Sequence, residues 1–230
     1  MGSMIYEREY AHIVTITRGY WIYRRRVTNE QYLRFAEETN YVPNAGDANP
    51  FGDHRLASNY GEHLRVIRAS APEGSVLRIS WEDAAAYCEW AMASLPTEAE
   101  WEYAASLTPA RALSPSGSSS GQRKGLLSFF SRPSVPVEVY EEAENWVGAL
   151  EMADDRVREW CFDWYDEEYY FHSPQEDPQG PTSGDLRVVR GGSWGAGCQR
   201  NRITSRMGGH PRGGREDVGF RPVVAGAGVL

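Results

Sequence analysis

The chain is poor in cysteine, and its 3 cysteines, Cys88, Cys161 and Cys198, lie far apart among 230 residues. A sparse and odd set of thiols excludes the dense disulfide framework of small secreted domains and favours a reducing compartment. The sequence also lacks an apolar run of the roughly 20 residues that a membrane-spanning helix needs. We therefore expect a protein with neither a disulfide scaffold nor a membrane span.

Positive charge is scarce as well, because 24 Lys and Arg stand against 32 Asp and Glu, which gives a formal net charge of -8. A nucleic-acid-binding protein needs clustered basic residues in excess, so this balance argues against a nucleic-acid partner. No charged and then apolar signal pattern begins the chain, which predicts a cytoplasmic protein. Met1-Gly2-Ser3 before Met4 resembles a cloning remnant, however, so export of the natural protein stays open as an alternative.

Core-forming residues are abundant, since 41% of the chain is hydrophobic and 12% is aromatic, with 8 Trp and 13 Tyr. This composition predicts a folded chain rather than a disordered one. We expect a single domain over residues 1–230. Ser, Pro and Gly dominate residues 108–134, which predicts a low-complexity insertion within that domain.

Capping residues predict where three helices begin. Thr28 with Gln31 and Thr97 with Glu100 form capping boxes, and Ser80 precedes two carboxylates that suit the positive end of a helix. The predicted helices run from residue 29 to about residue 40, from residue 81 onward, and over residues 98–105.

Period-two patterns of β-branched and aromatic residues predict the strands. Residues 12–16 and 20–23 are expected to pair as a hairpin, and further strands are expected at 157–162, 186–190 and 219–224. Residues 43–72 are rich in Asn, Asp, Gly and His without a sustained period, which predicts a long irregular connection.

Six short motifs follow one another along the chain: VTNEQY at 27–32, ISWEDA at 79–84, LPTEAEWE at 95–102, REW at 158–160, RGGSW at 190–194 and GFR at 219–221. Together they closely resemble the formylglycine-generating-enzyme (sulfatase-modifying-factor) family. The resemblance implies an α+β protein with a C-type-lectin-like fold, which has small twisted antiparallel sheets, two main helices and much irregular structure. Because one fold hosts several functions, the residues of the site must decide which function is present.

The family that the chain resembles includes copper-dependent oxidases that convert a cysteine to formylglycine. In those enzymes a pair of cysteines after the Gly-Gly-Ser motif binds copper through soft thiolates. Counted back from Arg202 and Arg206, Cys198 falls at the second position of that pair, and no residue supplies the first. The incomplete pair therefore favours a protein without enzymatic activity. The alternative is a copper-dependent oxidase, or a degenerate form of it, that uses Cys198. Cys88 and Cys161 are predicted to be buried core residues.

The family also often binds calcium in a turn that residues 145–160 resemble. The resemblance places Glu151, the Val157 carbonyl and Glu159 at ligand positions, so calcium is the one cofactor that the sequence suggests. The turn departs from the family pattern at Asp154-Asp155-Arg156. The alternative is a metal-free turn in which Arg156 or Arg158 pairs with Glu159.

Residues 195–218 lie between the RGGSW and GFR motifs and show no apolar period. This arrangement resembles the variable proteins of diversity-generating retroelements, in which a C-terminal segment is mutagenised on a constant scaffold. It implies a non-enzymatic protein that binds an unknown protein or small ligand through a diversifiable C-terminal surface. An ordinary exposed loop is the alternative. A pseudo-enzyme whose fold serves only assembly or regulation is a further alternative. The predicted ligand-binding residues are Gly195, Ala196, Gln199, Arg200, Asn201, Met207, Gly208, His210, Arg212, Gly213, Glu216 and Asp217.

Two further expectations concern this segment. Trp194, Arg202 and Arg206 are predicted to hold its backbone by packing and by charge-assisted hydrogen bonds. The basic residues of the segment predict a face that suits an acidic partner, although the whole chain is acidic. They are Arg200, Arg212, Arg215 and His210.

Overall fold

A computed structural model describes residues 1, 10–43, 60–107, 137–140, 157–192 and 203–226, with residues 60–62 and 137–140 described by their backbone alone. The described residues form an α+β fold, as the resemblance implies. The predicted insertion at 108–134 lies outside them. In these ranges no helix is long and apolar enough to cross a membrane.

Four helices lie in the described ranges: α1 (Asn29–Thr39), α2 (Tyr60–Ala69), α3 (Trp81–Trp90) and α4 (Glu98–Ser106). The helices α1, α3 and α4 confirm the three predicted starts. In each of them the side chain of the cap residue accepts a hydrogen bond from the backbone N–H of the residue three positions later. The side chain of that residue accepts a hydrogen bond from the backbone N–H of the cap residue. Asn40 ends α1 in the left-handed region at φ 51°.

Helix α2 corrects the irregular connection that was predicted over residues 43–72. Leu64 and Ile67, one helical turn apart, are buried in the same hydrophobic cluster as Phe35 of α1. Tertiary packing of this short apolar face stabilises the helix, whereas the Asn, Asp and Gly content of the surrounding segment favoured a loop.

The strands of the described ranges form two small sheets. They are β1 (Tyr20–Tyr23), β2 (Val137–Tyr140), β3 (Arg158–Trp164), β4 (Arg187–Arg190), β5 (Arg206–Gly209), β6 (Val218–Gly219) and β7 (Val223–Ala225). One sheet has the order β2-β1-β7 and the other has the order β5-β4-β3-β6. Two neighbouring pairs, β1 with β2 and β3 with β6, are parallel, so the sheets are mixed rather than antiparallel throughout.

The strand predictions at 20–23, 157–162 and 186–190 are confirmed by β1, β3 and β4. The predicted hairpin is wrong, because β1 pairs with the distant strands β2 and β7 and residues 12–16 make only an isolated bridge from Thr15 to Glu176. The single strand expected at 219–224 is divided between β6 and β7, which lie in different sheets. Long-range pairing of this kind leaves no local pattern in the sequence.

The central strands β3 and β4 separate two hydrophobic clusters. Trp160 and Val189 face one cluster, whereas their neighbours Cys161 and Val188 face the other. Cys161 and Cys88 are both buried, as predicted. The sheet therefore has packed layers on both faces, and β5, one of its two edge strands, lies within the C-terminal segment of residues 195–218.

The capping box of α1 can be tested by Thr28→Ala. Loss of the cap leaves a backbone N–H of the first turn without its acceptor, and we expect the free energy of unfolding to fall by about 1 kcal/mol. The matched control is Glu38→Gln on the same helix, which removes an exposed pair with Arg34 and should cost less than about 0.5 kcal/mol. Chemical denaturation measures both, and equal losses would contradict the capping account.

Candidate functional site

The C-terminal segment is attached to the domain through a buried carboxylate, Glu98 in the first turn of α4. Arg206 of β5 donates to both of its oxygens, over 2.8 and 2.9 Å, and Arg190 of β4 donates to one of them over 2.9 Å. All three side chains are at least 97% buried. One carboxylate therefore joins a helix and two neighbouring strands, in the forked geometry that arginine makes with carboxylates.

The remaining groups around Glu98 complete this cluster. Arg190 also donates to Glu102 of α4 and to the Ile203 carbonyl, at 2.7 Å for the latter, and the Arg206 guanidinium lies 4.2 Å from the Tyr170 ring centroid. Burial by itself would raise the pKa of Glu98, but Arg206 and Arg190 outweigh burial and hold it below its ordinary value. Glu98 is consequently charged and fully paired at neutral pH.

A second buried carboxylate, Glu159 of β3, fixes the other end of the segment. Arg221 donates to both of its oxygens over 2.7 Å, Trp101 donates to one over 2.7 Å, and Arg26 donates over 3.3 Å. Arg221 also donates to the Tyr23 carbonyl at the end of β1. The chain from β5 to β7 is thus held at both ends by charge-assisted hydrogen bonds.

Between these clusters, residues 210–217 form a loop that lies against the start of α3. The backbone N–H of Arg78 donates to the Arg215 carbonyl over 3.0 Å, and that of Glu82 donates to the Pro211 carbonyl over 3.2 Å. A Cβ atom on Gly214 would lie 2.1 Å from the Arg78 carbonyl oxygen, so the loop approaches α3 at a distance that only glycine allows.

Several side chains of the loop point outward. Arg212 is 62% exposed and pairs with Glu82, and Glu216 is 52% exposed and pairs with Arg78. His210 and Gly213 are half-buried. Isolated ion pairs at this exposure contribute little to stability, so these side chains are available for a binding partner.

Three of the residues predicted to bind ligand have structural roles in the fold. Asp217 is buried, and its carboxylate accepts from Arg158 over 2.7 Å. A Cβ atom on Gly208 would lie 2.7 Å from Leu186, so this strand position has no room for a diversified side chain. Met207 packs against the core cluster around Trp160. The mixed composition of the segment hid these roles, because buried charges and strand glycines carry no apolar period.

The other residues assigned to the site lie outside the described residues. They are the ligand-binding candidates Gly195, Ala196, Gln199, Arg200 and Asn201, the scaffold candidates Trp194 and Arg202, the alternative catalytic residue Cys198, and the calcium candidate Glu151.

The described residues bear on the calcium site that the resemblance implies, whereas the copper candidate Cys198 lies outside them. Burial raises the pKa values of the Cys88 and Cys161 thiols, which agrees with their predicted place in the core. Both oxygens of Glu159 are occupied by hydrogen-bond donors, which leaves them unsuited to calcium. The pairing cations of Glu159 are Arg221 and Arg26. Of the two predicted partners, Arg158 binds Asp217 and Arg156 lies outside the described residues. Within the described ranges no three His, Cys, Asp or Glu side chains are grouped for a metal ion.

The comparisons with known sequences agree with the motif resemblance. Residues 1–225 match the model of the sulfatase-modifying factor enzyme 1-like domain. The chain is 32% identical over 254 residues to a formylglycine-generating enzyme of Streptomyces coelicolor, a match that covers 89% of this chain and 77% of that protein. It is 35% identical over 202 residues to the serine/threonine-protein kinase pkn1 of Chlamydia pneumoniae, and there it covers 85% of this chain but only 31% of the relative.

Among solved structures, the fold is similar to that of Treponema denticola variable protein 1. The TM-score is 0.60 at 22% sequence identity, and the match covers 97% of this chain and 90% of that chain. At this identity the likeness concerns the fold.

The buried carboxylate of Glu159 can be tested by Glu159→Gln. The change leaves the Arg221 and Arg26 charges buried without a counter-charge, and we expect a loss of about 3–5 kcal/mol in the free energy of unfolding. The matched control is Glu216→Gln, which removes an exposed pair with Arg78 and should cost less than about 1 kcal/mol. Similar losses for both variants in urea titration would show that Glu159 does not anchor the segment.

Proposed function

The chain belongs to the sulfatase-modifying factor family, and from that premise we propose that it is a non-enzymatic ligand-binding protein with a diversifiable C-terminal surface. The ligand binds to the exposed side chains of the segment after β5, and the buried ion clusters keep the backbone beneath them in place. The fold supplies a rigid platform, and the exposed residues supply the specificity.

One observation carries this proposal: the segment contains two kinds of position side by side. Arg206, Gly208 and Asp217 are fixed by buried ion pairs or by lack of room, whereas Arg212 and Glu216 are exposed and make only surface ion pairs. Exposed positions can change without loss of the fold, since surface substitutions away from structural features cost little stability. A surface for variable recognition needs this division.

The sequence between the RGGSW and GFR motifs further suggests a variable protein of a diversity-generating retroelement. The similar fold of a protein that is itself named a variable protein supports this identification. Loss of one cysteine of the copper-binding pair supports a non-enzymatic role, because a single thiolate cannot rebuild a two-sulfur site.

The genomic surroundings test this proposal directly. We expect a reverse-transcriptase gene nearby, together with a near-repeat of the codons for residues 190–221 that differs at adenines of the template copy. Among the described residues, the proposal expects the differences in the codons of exposed or half-buried loop residues: His210, Arg212, Gly213, Arg215 and Glu216.

The codons of Arg206, Gly208, Gly209 and Asp217 serve as the internal control and should be the same in both copies, because their side chains or the space around them maintain the fold. Differences concentrated at those four codons would contradict the proposed surface. Absence of any repeat would contradict the identification of this chain as the variable protein of a retroelement.

The alternative function is a copper-dependent oxidase that uses Cys198, and the 32% identity to a formylglycine-generating enzyme favours it. The two functions are separated by titrating the reduced protein with copper(I) and measuring oxygen consumption with cysteine-containing peptides. We expect no tight copper binding and no turnover. Tight binding with turnover, both lost in Cys198→Ser, would establish the oxidase instead.

A further inference from the structure

Arg187 of β4 lies in an aromatic stack on the surface. Its Cζ atom is 3.6 Å from the centroid of the Trp81 ring and 3.5 Å from that of Trp164, and the Phe162 ring centroid is 5.9 Å away. Its Nη1 donates to the Phe162 carbonyl over 2.6 Å. A guanidinium stacked between two indole rings is fixed in position and orientation by the cation–π contacts.

Arg187 makes no ion pair with a carboxylate of the described ranges, unlike Arg190 of the same strand, which pairs with Glu98 and Glu102. The charge of Asp163 acts on Arg187 without such a pair, and burial raises the pKa of Asp163 well above its ordinary value. The Nε atom of Arg187 is buried without an acceptor, and Nη2 makes no hydrogen bond to the described residues. Burial lowers its pKa to about 10, so the side chain stays charged at neutral pH. A partly buried guanidinium that forms no ion pair is suited to a carboxylate that a ligand supplies.

The stack is continuous with the C-terminal surface. Gly209, the last residue of β5, is opposite Arg187 in the sheet, so the exposed loop begins beside the stack at His210. The loop then returns to α3, where Arg212 pairs with Glu82, the residue after Trp81. We define the Arg187 face as Trp81, Phe162, Trp164 and Arg187 together with the loop arginines Arg212 and Arg215.

The charge on and around this face is opposite to that of the chain as a whole. Arg187 and the adjoining Arg78 are half-buried, and Arg212 and Arg215 are exposed. Among the carboxylates beside them, Glu216 is exposed, Glu82 is half-buried, and Asp217 is buried and pairs with both Arg158 and Arg215. A net positive patch on a chain of charge -8 attracts an acidic ligand.

We infer that the Arg187 face binds an acidic segment of a partner protein, with a ligand carboxylate on Arg187 and ligand apolar side chains on the aromatic rings. This inference rests on the proposed function and names the chemistry of its ligand. The phosphates of a nucleic acid fit less well, because the whole chain is negative and the arginines alternate with carboxylates. Phe162, 42% exposed beside the cation, favours a peptide that carries both acidic and apolar residues.

Fluorescence anisotropy with a labelled peptide of alternating glutamate and tyrosine tests the inference, and the same peptide with glutamine for glutamate is the matched probe. We expect the glutamate peptide to bind more tightly and its affinity to fall as salt is raised. Arg187→Gln should weaken its binding by roughly tenfold or more, as for a lost hydrogen bond to a charged group. Arg187→Lys, which keeps the charge but not the planar fork, should weaken it by a smaller factor.

Arg212→Gln lies on the exposed loop and should weaken binding without lowering the melting temperature, whereas Arg34→Gln on α1 is the matched control and should change neither. Equal binding of the two peptides, or unchanged binding by folded Arg187→Gln and Arg187→Lys, would overturn the inference. Binding of the glutamine peptide that is lost in Arg212→Gln would keep the proposed ligand-binding surface and exclude its acidic ligand. Failure of both peptides to bind would exclude the acidic ligand, while the codon repeat and the oxidase assay would still decide the proposed function.

Discussion

The buried carboxylate of Glu98 is the constraint on which the C-terminal half of the fold depends. It is the common acceptor for Arg190 and Arg206, so it fixes α4, β4 and β5 relative to one another. Removing it would leave the buried guanidinium of Arg206 without a charge partner and that of Arg190 with Glu102 alone. A buried ion cluster is expensive to form, but once formed it resists partial rearrangement because every member needs the others. Glu159 repeats the arrangement for Arg221 and Arg26 at the end of the segment.

This arrangement separates stability from recognition within a short stretch of chain. Residues with side chains directed into the clusters maintain the backbone, and the side chains between them reach solvent or make surface ion pairs. Adjacent residues can differ in this respect. The carboxylate of Asp217 is buried against Arg158, whereas that of Glu216 is 52% exposed. A binding surface built in this way can change its chemistry while the core remains the same, which is the property that the proposed function requires.

The sequence predicted those features that depend on neighbouring residues. The capping boxes at Thr28 and Thr97 are complete within four residues, so α1 and α4 were predicted at their observed starts. The motif order was enough to predict the α+β family fold. The contact between Glu98 and Arg206 joins residues 108 positions apart, and no local pattern distinguishes such a glutamate from one on a solvated helix face. For the same reason the burial of Asp217 and the stack around Arg187 became visible only in three dimensions.

The central claim is that fixed and variable positions alternate in residues 203–217, and saturation mutagenesis of this stretch, read out as the amount of folded protein, tests it most directly. We predict two separate classes. Substitutions at Arg206, Gly208, Gly209 and Asp217 should deplete folded protein, and substitutions at His210, Arg212, Arg215 and Glu216 should leave it near the starting level. A uniform response along the stretch, whether tolerant or intolerant, would contradict the account.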